Sequence, residues 1–385
     1  MVDLIVRPRA GETIDTDAAV RIRDLTVVYK TAVGELPAVS HANLTLRAGE
    51  ITGLVGESGS GKSTLALSIL NGVRAPGRIS TGSVDVVNAG DVTTLAGAEL
   101  RQVRGGTVGY VFQASQNSLN PLKTIGKQLL DLGRSHGVAD PKSLIRRARE
   151  LAEQMGMDAD RVIMSHQHEL SGGMRQRVGI IFALVLNAKV LILDEPTTAL
   201  DMLSQAAVLE IVRQVHKERH LATLIVTHDM GVVAELADRL AVMYGGRLVE
   251  DGPALEVLRQ PEHPYTAALI RAMPRIVGDT ASARALPGRP PDLMTVPRRG
   301  CVFRDRCPLA MPKCADTEPQ LVEWMPGRHR ACYADLPDVA AFAAQPATSV
   351  TAAAQPATSV GVPAQPTATA TPEAGSDTVT EEAGQ

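Results

Sequence analysis

Gly56-Glu57-Ser58-Gly59-Ser60-Gly61-Lys62-Ser63-Thr64 matches the G-x-x-x-x-G-K-[ST] pattern of a phosphate-binding loop. Its flanks decide the fold. Upstream, Ile51-Thr52-Gly53-Leu54-Val55 is a short apolar run that reads as a buried strand. Downstream, Thr64 to Leu70 reads as a helix. Gly56, Gly59 and Gly61 let consecutive N–H groups converge on phosphate oxygens, and the helix N-terminus adds partial positive charge. Lys62 is long enough to reach β- and γ-phosphates, and the Ser63 hydroxyl can ligate Mg²⁺. Glu57, Ser58, Ser60 and Thr64 complete the expected nucleotide-binding stretch. The pattern implies a chain that binds a nucleoside triphosphate.

Composition sets the outer bounds. At 385 residues, 44% of them hydrophobic, the chain has room for two or three domains with an ordinary core. A net charge of −3 supplies no general attraction to nucleic acid. Met1-Val2-Asp3-Leu4-Ile5 is too short and too charged for a signal peptide. The longest apolar stretch, Val178 to Leu193, is interrupted by Asn187 and Lys189 and is short for a membrane span. A cytoplasmic protein is expected.

Working outward from the loop, residues 1–19 form a polar leader. Val20 to Tyr29 alternates apolar and polar residues as a half-buried strand does. Tyr29 closes it, near enough in sequence to the loop for an adenine to stack on its ring. The alternative is a strand-end aromatic that touches no ligand. Gly82 to Val86 reads as a strand, Glu99 to Val103 as a helical turn, and Val108 to Gln113 as an apolar strand ending in glutamine. The period then changes: Leu144, Ala148, Leu151, Ala152 and Met155 share one helix face. Residues from about 115 to 185 are therefore expected as a helical insertion in the sheet domain. Within it, Ser171-Gly172-Gly173 opens a helix and offers a second anion-binding N-terminus. Lys189 to Leu193 is a hydrophobic strand delivering Asp194, suited to hold Mg²⁺, and Glu195, suited to orient or deprotonate a water. Leu221 to Val226 is a further buried strand, followed by Thr227-His228-Asp229.

With these motifs in this order, the chain resembles an ATP-binding-cassette (ABC) ATPase over roughly residues 20–250. The resemblance assigns the phosphate loop to 56–63, the glutamine loop to Gln113, the signature to 170–174 and the second phosphate-site strand to 190–195. Ala199-Leu200-Asp201 matches the dimer-contact loop, and His228 the switch histidine. The implied fold is a P-loop α/β cassette, a mixed sheet core with a helical subdomain. Two cassettes close head to tail, each ATP lying between one loop and the opposite Ser171-Gly172-Gly173, with Asp201 also reaching across. Glu195 would polarise the attacking water, His228 would contact the γ-phosphate, and Gln113 would sense Mg²⁺ and the water. Ser118-Leu119-Asn120-Pro121, Glu169 to Arg177 and His263-Pro264-Tyr265-Thr266 are similar to the ATPase subunits of dipeptide, oligopeptide and nickel importers. So is Arg299-Gly300-Cys301 with Cys307-Pro308 and Cys314. Departures occur at Ala114 to Asn117 and Ser165 to His168, on the surface that meets the transmembrane partner by resemblance. The implied partners are a second cassette (identical or related), two transmembrane permease subunits and, indirectly, an extracytoplasmic solute-binding protein. The implied location is the cytoplasmic side of the cell membrane, as a peripheral subunit.

Beyond a break at Gly252-Pro253, residues 253–338 form a C-terminal extension in which Ala254 to Met273 reads as helical turns. His263 and Tyr265 read as structural, packing this extension on the cassette. All four cysteines of the chain lie here, at Cys301, Cys307, Cys314 and Cys332, spaced C-x5-C-x6-C-x17-C. A reducing cytosol disfavours disulfides, so the cluster suggests a metal, the alternative being four unrelated buried thiols. The paired knuckles typical of structural zinc are absent, whereas irregular sets of four cysteines and a Cys-Pro pair suit iron–sulfur ligation. The importer resemblance points the same way. A 4Fe–4S cluster of structural or regulatory role is expected, with structural zinc as the alternative. Residues 339–385, in which Ala-Gln-Pro-Ala-Thr-Ser-Val recurs at 344–350 and 354–360, are expected as a disordered tail. The leading functional reading is the energising ATPase of a peptide importer, with an importer of nickel or another small solute as the alternative. A soluble cassette protein acting on nucleic acid or ribosomes is the runner-up; this chain has neither the second cassette nor the coiled coils those proteins carry.

Overall fold

A computed structural model describes residues 17–113, 119–198, 200–272, 286 and 288–344. Most of the leader, the departure at 114–117, Ser118, Ala199 and the tail from residue 345 therefore lie outside the described residues.

Two sheets carry the fold. β1 (Ala18–Thr31) and β2 (Gly34–Arg47) make an antiparallel hairpin, longer than the alternating stretch at 20–29 suggests. β3 (Ile51–Val55) opens the second sheet, while β4 (Gly77–Val86) and the two-residue β5 (Gly90–Asp91) complete the first in the order β2-β1-β4-β5. The second sheet adds β6 (Val108–Val111), β7 (Val190–Asp194), β8 (Ala222–Val226), β9 (Arg239–Tyr244), β10 (Arg247–Pro253), β11 (Val322–Met325) and β12 (Arg328–Arg330). Its order is β11-β12-β10-β9-β3-β8-β7-β6. β3, β7 and β8 are buried at every position, as expected of parallel strands covered on both faces.

Helix Lys62–Ser68 lies in the core shared by the two sheets, where Leu65, Ala66 and Ile69 pack with Ile22, Leu46 and Val226. Helices Ile125–Ser135, Lys142–Gln154, Ala159–Met164 and Gly172–Leu184 form the helical subdomain. Leu144, Ala148, Leu151 and Ala152 are its buried face in helix Lys142–Gln154, as their spacing predicts. Among the described residues no helix is long and apolar enough to cross a membrane.

The expected break at Gly252-Pro253 falls inside β10, which pairs with β12 at Glu250↔Arg330 and Asp251↔His329. The C-terminal segment thus extends the same sheet. Helix Leu336–Ala344, which buries Val339, occupies the first positions expected as tail. Glu250, 1% exposed, accepts N–H bonds from Glu262 (2.8 Å) and His263 (3.0 Å), with Arg328 3.5 Å away. These bonds seat the helix that begins at Pro264.

Burial pushes the Glu250 carboxyl up to about 7, from 4.5 when exposed, because desolvation outweighs those donors. Between those values the fold holds a proton that the unfolded chain has released, so this group's contribution to stability falls as pH rises through the window. The melting-temperature advantage of the parent over Glu250→Gln is therefore expected to be larger at about pH 5 than at about pH 7.5. A difference that does not change with pH would show that Glu250 is ionised in the fold throughout.

Candidate active site

Register decides which residues meet. β3 pairs in parallel with β8, β8 with β7, and β7 with β6, so that Leu54 and Asp194 both stand opposite Val226, and Val111 opposite Leu193. The carboxyl ends of all four strands therefore share one edge, where open α/β sheets bind ligands. The residues that follow them are the phosphate loop, Gln113, Glu195 and His228. Two further bonds lock the edge: Thr227 N donates to Leu54 O at 3.1 Å and Glu195 N to Val226 O at 2.8 Å.

The loop has the backbone its glycines allow. Gly61, with φ +99°, is the residue before the first turn of helix Lys62–Ser68, and a Cβ there would collide with the Ala38 carbonyl. Lys62, only 6% exposed, folds back over the loop, its Nζ donating to Gly56 O (2.8 Å) and Glu57 O (2.9 Å). Burial holds its pKa below the usual lysine range, while Glu195, Asp194 and Glu57 pull the other way.

Opposite the loop stands Asp194, 4% exposed. Its Oδ1 accepts from Ser63 Oγ at 3.1 Å and its Oδ2 from Tyr110 Oη at 3.0 Å. Burial raises the Asp194 carboxyl above its usual range, against the lowering effect of these two donors. Burial and the neighbouring carboxylate raise the Tyr110 phenol in turn, so it remains the donor. Glu195 sits at φ +49°, an unusual conformation for a side chain of this size. Gln113 Nε2 donates to Glu195 Oε2 at 2.6 Å and Thr198 Oγ1 to the same atom at 3.1 Å. His228 Nδ1 lies 3.4 Å from Glu195 Oε1. The structure thus brings Gln113 and His228 to Glu195, next to Asp194; Tyr110 and Thr198 join them without a sequence signal of their own.

The remaining expected residues lie elsewhere. Ser171 is exposed and caps helix Gly172–Leu184, its Oγ accepting from Met174 N. Asp201 is exposed and caps helix Met202–Arg219 through Ser204 N (2.9 Å) and Ser204 Oγ (2.7 Å). A Cβ built on Gly173 would sit 3.5 Å from Ser204 Oγ, so the signature and the Asp201 loop are adjacent. Tyr29 is half-buried, its ring against Gly77.

Comparison with known proteins agrees with this geometry. The ABC transporter family model matches residues 39–198, and that of the oligopeptide/dipeptide transporter C-terminal region matches residues 249–314. The oligopeptide transport ATP-binding protein OppD of Escherichia coli is 39% identical over 318 residues, covering 82% of this chain and 93% of its own length. The chain belongs to the ABC transporter family, among its oligopeptide/dipeptide ATP-binding proteins. The dipeptide transport ATP-binding protein DppD of Caldanaerobacter subterraneus is 38% identical, covering 82% of this chain and 96% of its own. Among solved structures, the dimeric MJ0796 bacterial ABC transporter cassette superposes with a TM-score of 0.54 at 27% identity. That superposition covers 61% of this chain and 98% of the cassette. ABC ATPases hydrolyse ATP, and this chain carries that family's cassette.

One expectation for this ABC ATPase is overturned. Among the described residues no group of His, Cys, Asp or Glu side chains is set to hold a metal ion. Cys301, Cys307, Cys314 and Cys332 are free thiols lining one small cavity with Phe303, Leu309 and Tyr333. Burial pushes the Cys301 thiol up to about 11 and the Cys307 thiol up to about 12, as expected of cysteines in apolar surroundings. Neither the 4Fe–4S cluster nor the structural zinc stands. Cys301, Cys307 and Cys314 share the core around Tyr244, Tyr265 and Phe303, and Cys332 packs against the neighbouring one formed by Ala267, Ala334 and Val339.

Gly61→Ala combines a strained φ with a backbone collision, so nucleotide affinity is expected to fall by at least about tenfold. Equilibrium titration with Mg-ATP measures it; parent-like affinity would show that the loop reshapes freely.

Proposed function

We propose that this ABC ATPase hydrolyses ATP to power uptake of di- and oligopeptides, as one of two cassettes beneath a pair of permease subunits. It would sit on the cytoplasmic side of the cell membrane as a peripheral subunit. The observation that carries the peptide cargo is the match of residues 249–314 to the C-terminal region of oligopeptide/dipeptide transporters, joined to a complete cassette edge. An open apolar groove of about 450 Å³ beside Gln113, lined by Leu70, Val73, Tyr110, Phe112, Leu132 and Phe182, suits a permease helix.

In this reading the loop N–H groups and Lys62 bind the β- and γ-phosphates, Lys62 exchanging its loop carbonyls for phosphate oxygens. Ser63 and Asp194 fit Mg²⁺, since a buried carboxylate beside a hydroxyl is the small oxygen set that ion takes together with phosphates. When bound, the ion offsets phosphate charge. Glu195, aimed by Gln113 and Thr198, accepts a proton from the attacking water. His228, exposed beside it, orients against the γ-phosphate. Ser171 and Asp201, both exposed, together with the half-buried Gly172 and Gly173, close the partner cassette's nucleotide, so each site is complete only in the closed pair.

Glu195→Gln keeps the shape but removes the base, so ATP binding is expected to persist while turnover falls by about 100-fold or more. Hydrolysis near the parent rate in the assembled transporter would remove Glu195 from its role. Ser171→Arg is expected to leave ATP binding by the isolated chain intact while abolishing ATP-induced dimerisation, read by light scattering. Loss of binding in the isolated chain would show that Ser171 serves its own site.

A further inference from the structure

We infer that the C-terminal region sets the phosphate loop for its ligand by seizing Glu57, with Tyr265 and Arg306 as positioning residues. This rests on the reading of the loop as the ATP site.

A glutamate inside a phosphate-binding loop has the wrong sign for a polyanion. Here every polar group of Glu57 is engaged. Its N–H donates to Tyr265 Oη at 2.9 Å, and its carbonyl accepts from Lys62 Nζ at 2.9 Å. Its carboxylate takes both arms of Arg306, Nη1 to Oε2 at 2.5 Å and Nη2 to Oε1 at 3.0 Å. The pair is largely dry, with 8% of the Arg306 side chain and 19% of the Glu57 side chain exposed. A two-pronged, charge-assisted contact of this kind both fixes the carboxylate and cancels its field.

The two partners are themselves held. Tyr244 Oη accepts from Arg306 Nη1 at 3.2 Å, and the rings of Tyr244, Tyr265 and Phe303 pack with centroids 4.6 to 5.3 Å apart. Phe303 and Arg306 share one turn, Arg306 N donating to Phe303 O at 3.0 Å. Tyr265 N donates to His263 Nδ1 at 3.0 Å, and His263 N donates to the buried Glu250 carboxylate. A relay therefore runs from β10 through His263 and Tyr265 to the loop, and a second from the cysteine-lined turn through Arg306 to the same residue. Glycine-rich loops lose much conformational freedom on ordering. Anchoring Glu57 removes part of that cost before ATP arrives.

The test uses the full chain and Mg-ATP, with affinity read by calorimetry and KM and kcat read in the assembled transporter. Arg306→Met leaves an unpaired carboxylate in the loop and is expected to weaken ATP binding by about tenfold. KM should rise in step and kcat should change far less. Adding Glu57→Gln to Arg306→Met removes the charge that needed an opponent, so the double variant should recover most of the lost affinity. Tyr265→Phe keeps the packed ring but removes the acceptor and should raise KM by about two- to fivefold. It also serves as the test if Arg306→Met does not fold. A double variant weaker than Arg306→Met, parent-like binding by Arg306→Met, or parent-like KM in Tyr265→Phe would each overturn the inference. Lys62→Ala separates the two levels: if it binds ATP like the parent, the loop is not the ATP site. If it loses binding while Arg306→Met does not, only the positioning role fails.

Discussion

Parallel pairing of Ile51–Val55 with Ala222–Val226, and of the latter with Val190–Asp194, sets the position of the reacting groups. Each strand is five residues long and buried throughout, so a one-residue slip would carry buried side chains to the opposite face. The chemistry inherits that rigidity. The phosphate loop, Asp194 and His228 are separated widely in sequence, yet they stand together because three strands end in register. Gln113 joins them through a fourth.

Electrostatics then loads this edge. Lys62 and Asp194 are both withdrawn from water, and burial drives each toward its neutral form. Local partners resist: loop carbonyls for the ammonium, Ser63 and Tyr110 for the carboxylate. These contacts are replaceable, which suits their proposed exchange for phosphate oxygens and a divalent ion. Glu195 differs, being held from outside by Gln113 at the head of the helical subdomain. Gln113 directly follows Phe112, which lines the groove proposed above for a permease helix, so the residue that aims the carboxylate adjoins that groove.

Much of this arrangement is legible in the amino-acid sequence. Continuous apolar runs mark β3, β7 and β8, because strands buried on both faces can admit little else. The spacing of Leu144, Ala148 and Leu151 marks a helix face, and Ser171 a helix start, since local geometry alone decides both. Long-range side-chain contacts are not legible: Tyr110 is an ordinary strand aromatic until its hydroxyl meets Asp194. Tyr265 reads as packing, and it does pack, yet its hydroxyl takes the Glu57 N–H from 208 residues away. Arg306 carries no motif at all. The cysteines show the opposite failure: their spacing points correctly to a grouping in space, but whether sulfur meets metal or apolar side chains depends on packing that spacing does not encode.

The central claim, that this edge drives peptide uptake, is tested most directly in proteoliposomes containing the chain with its permease and cassette partners. A labelled oligopeptide presented with its binding protein should accumulate inside only when ATP is available on the cassette side, and unlabelled peptide but not nickel should compete. Uptake of nickel in place of peptide would contradict the assigned cargo. Peptide accumulation that proceeds without ATP would contradict the account itself.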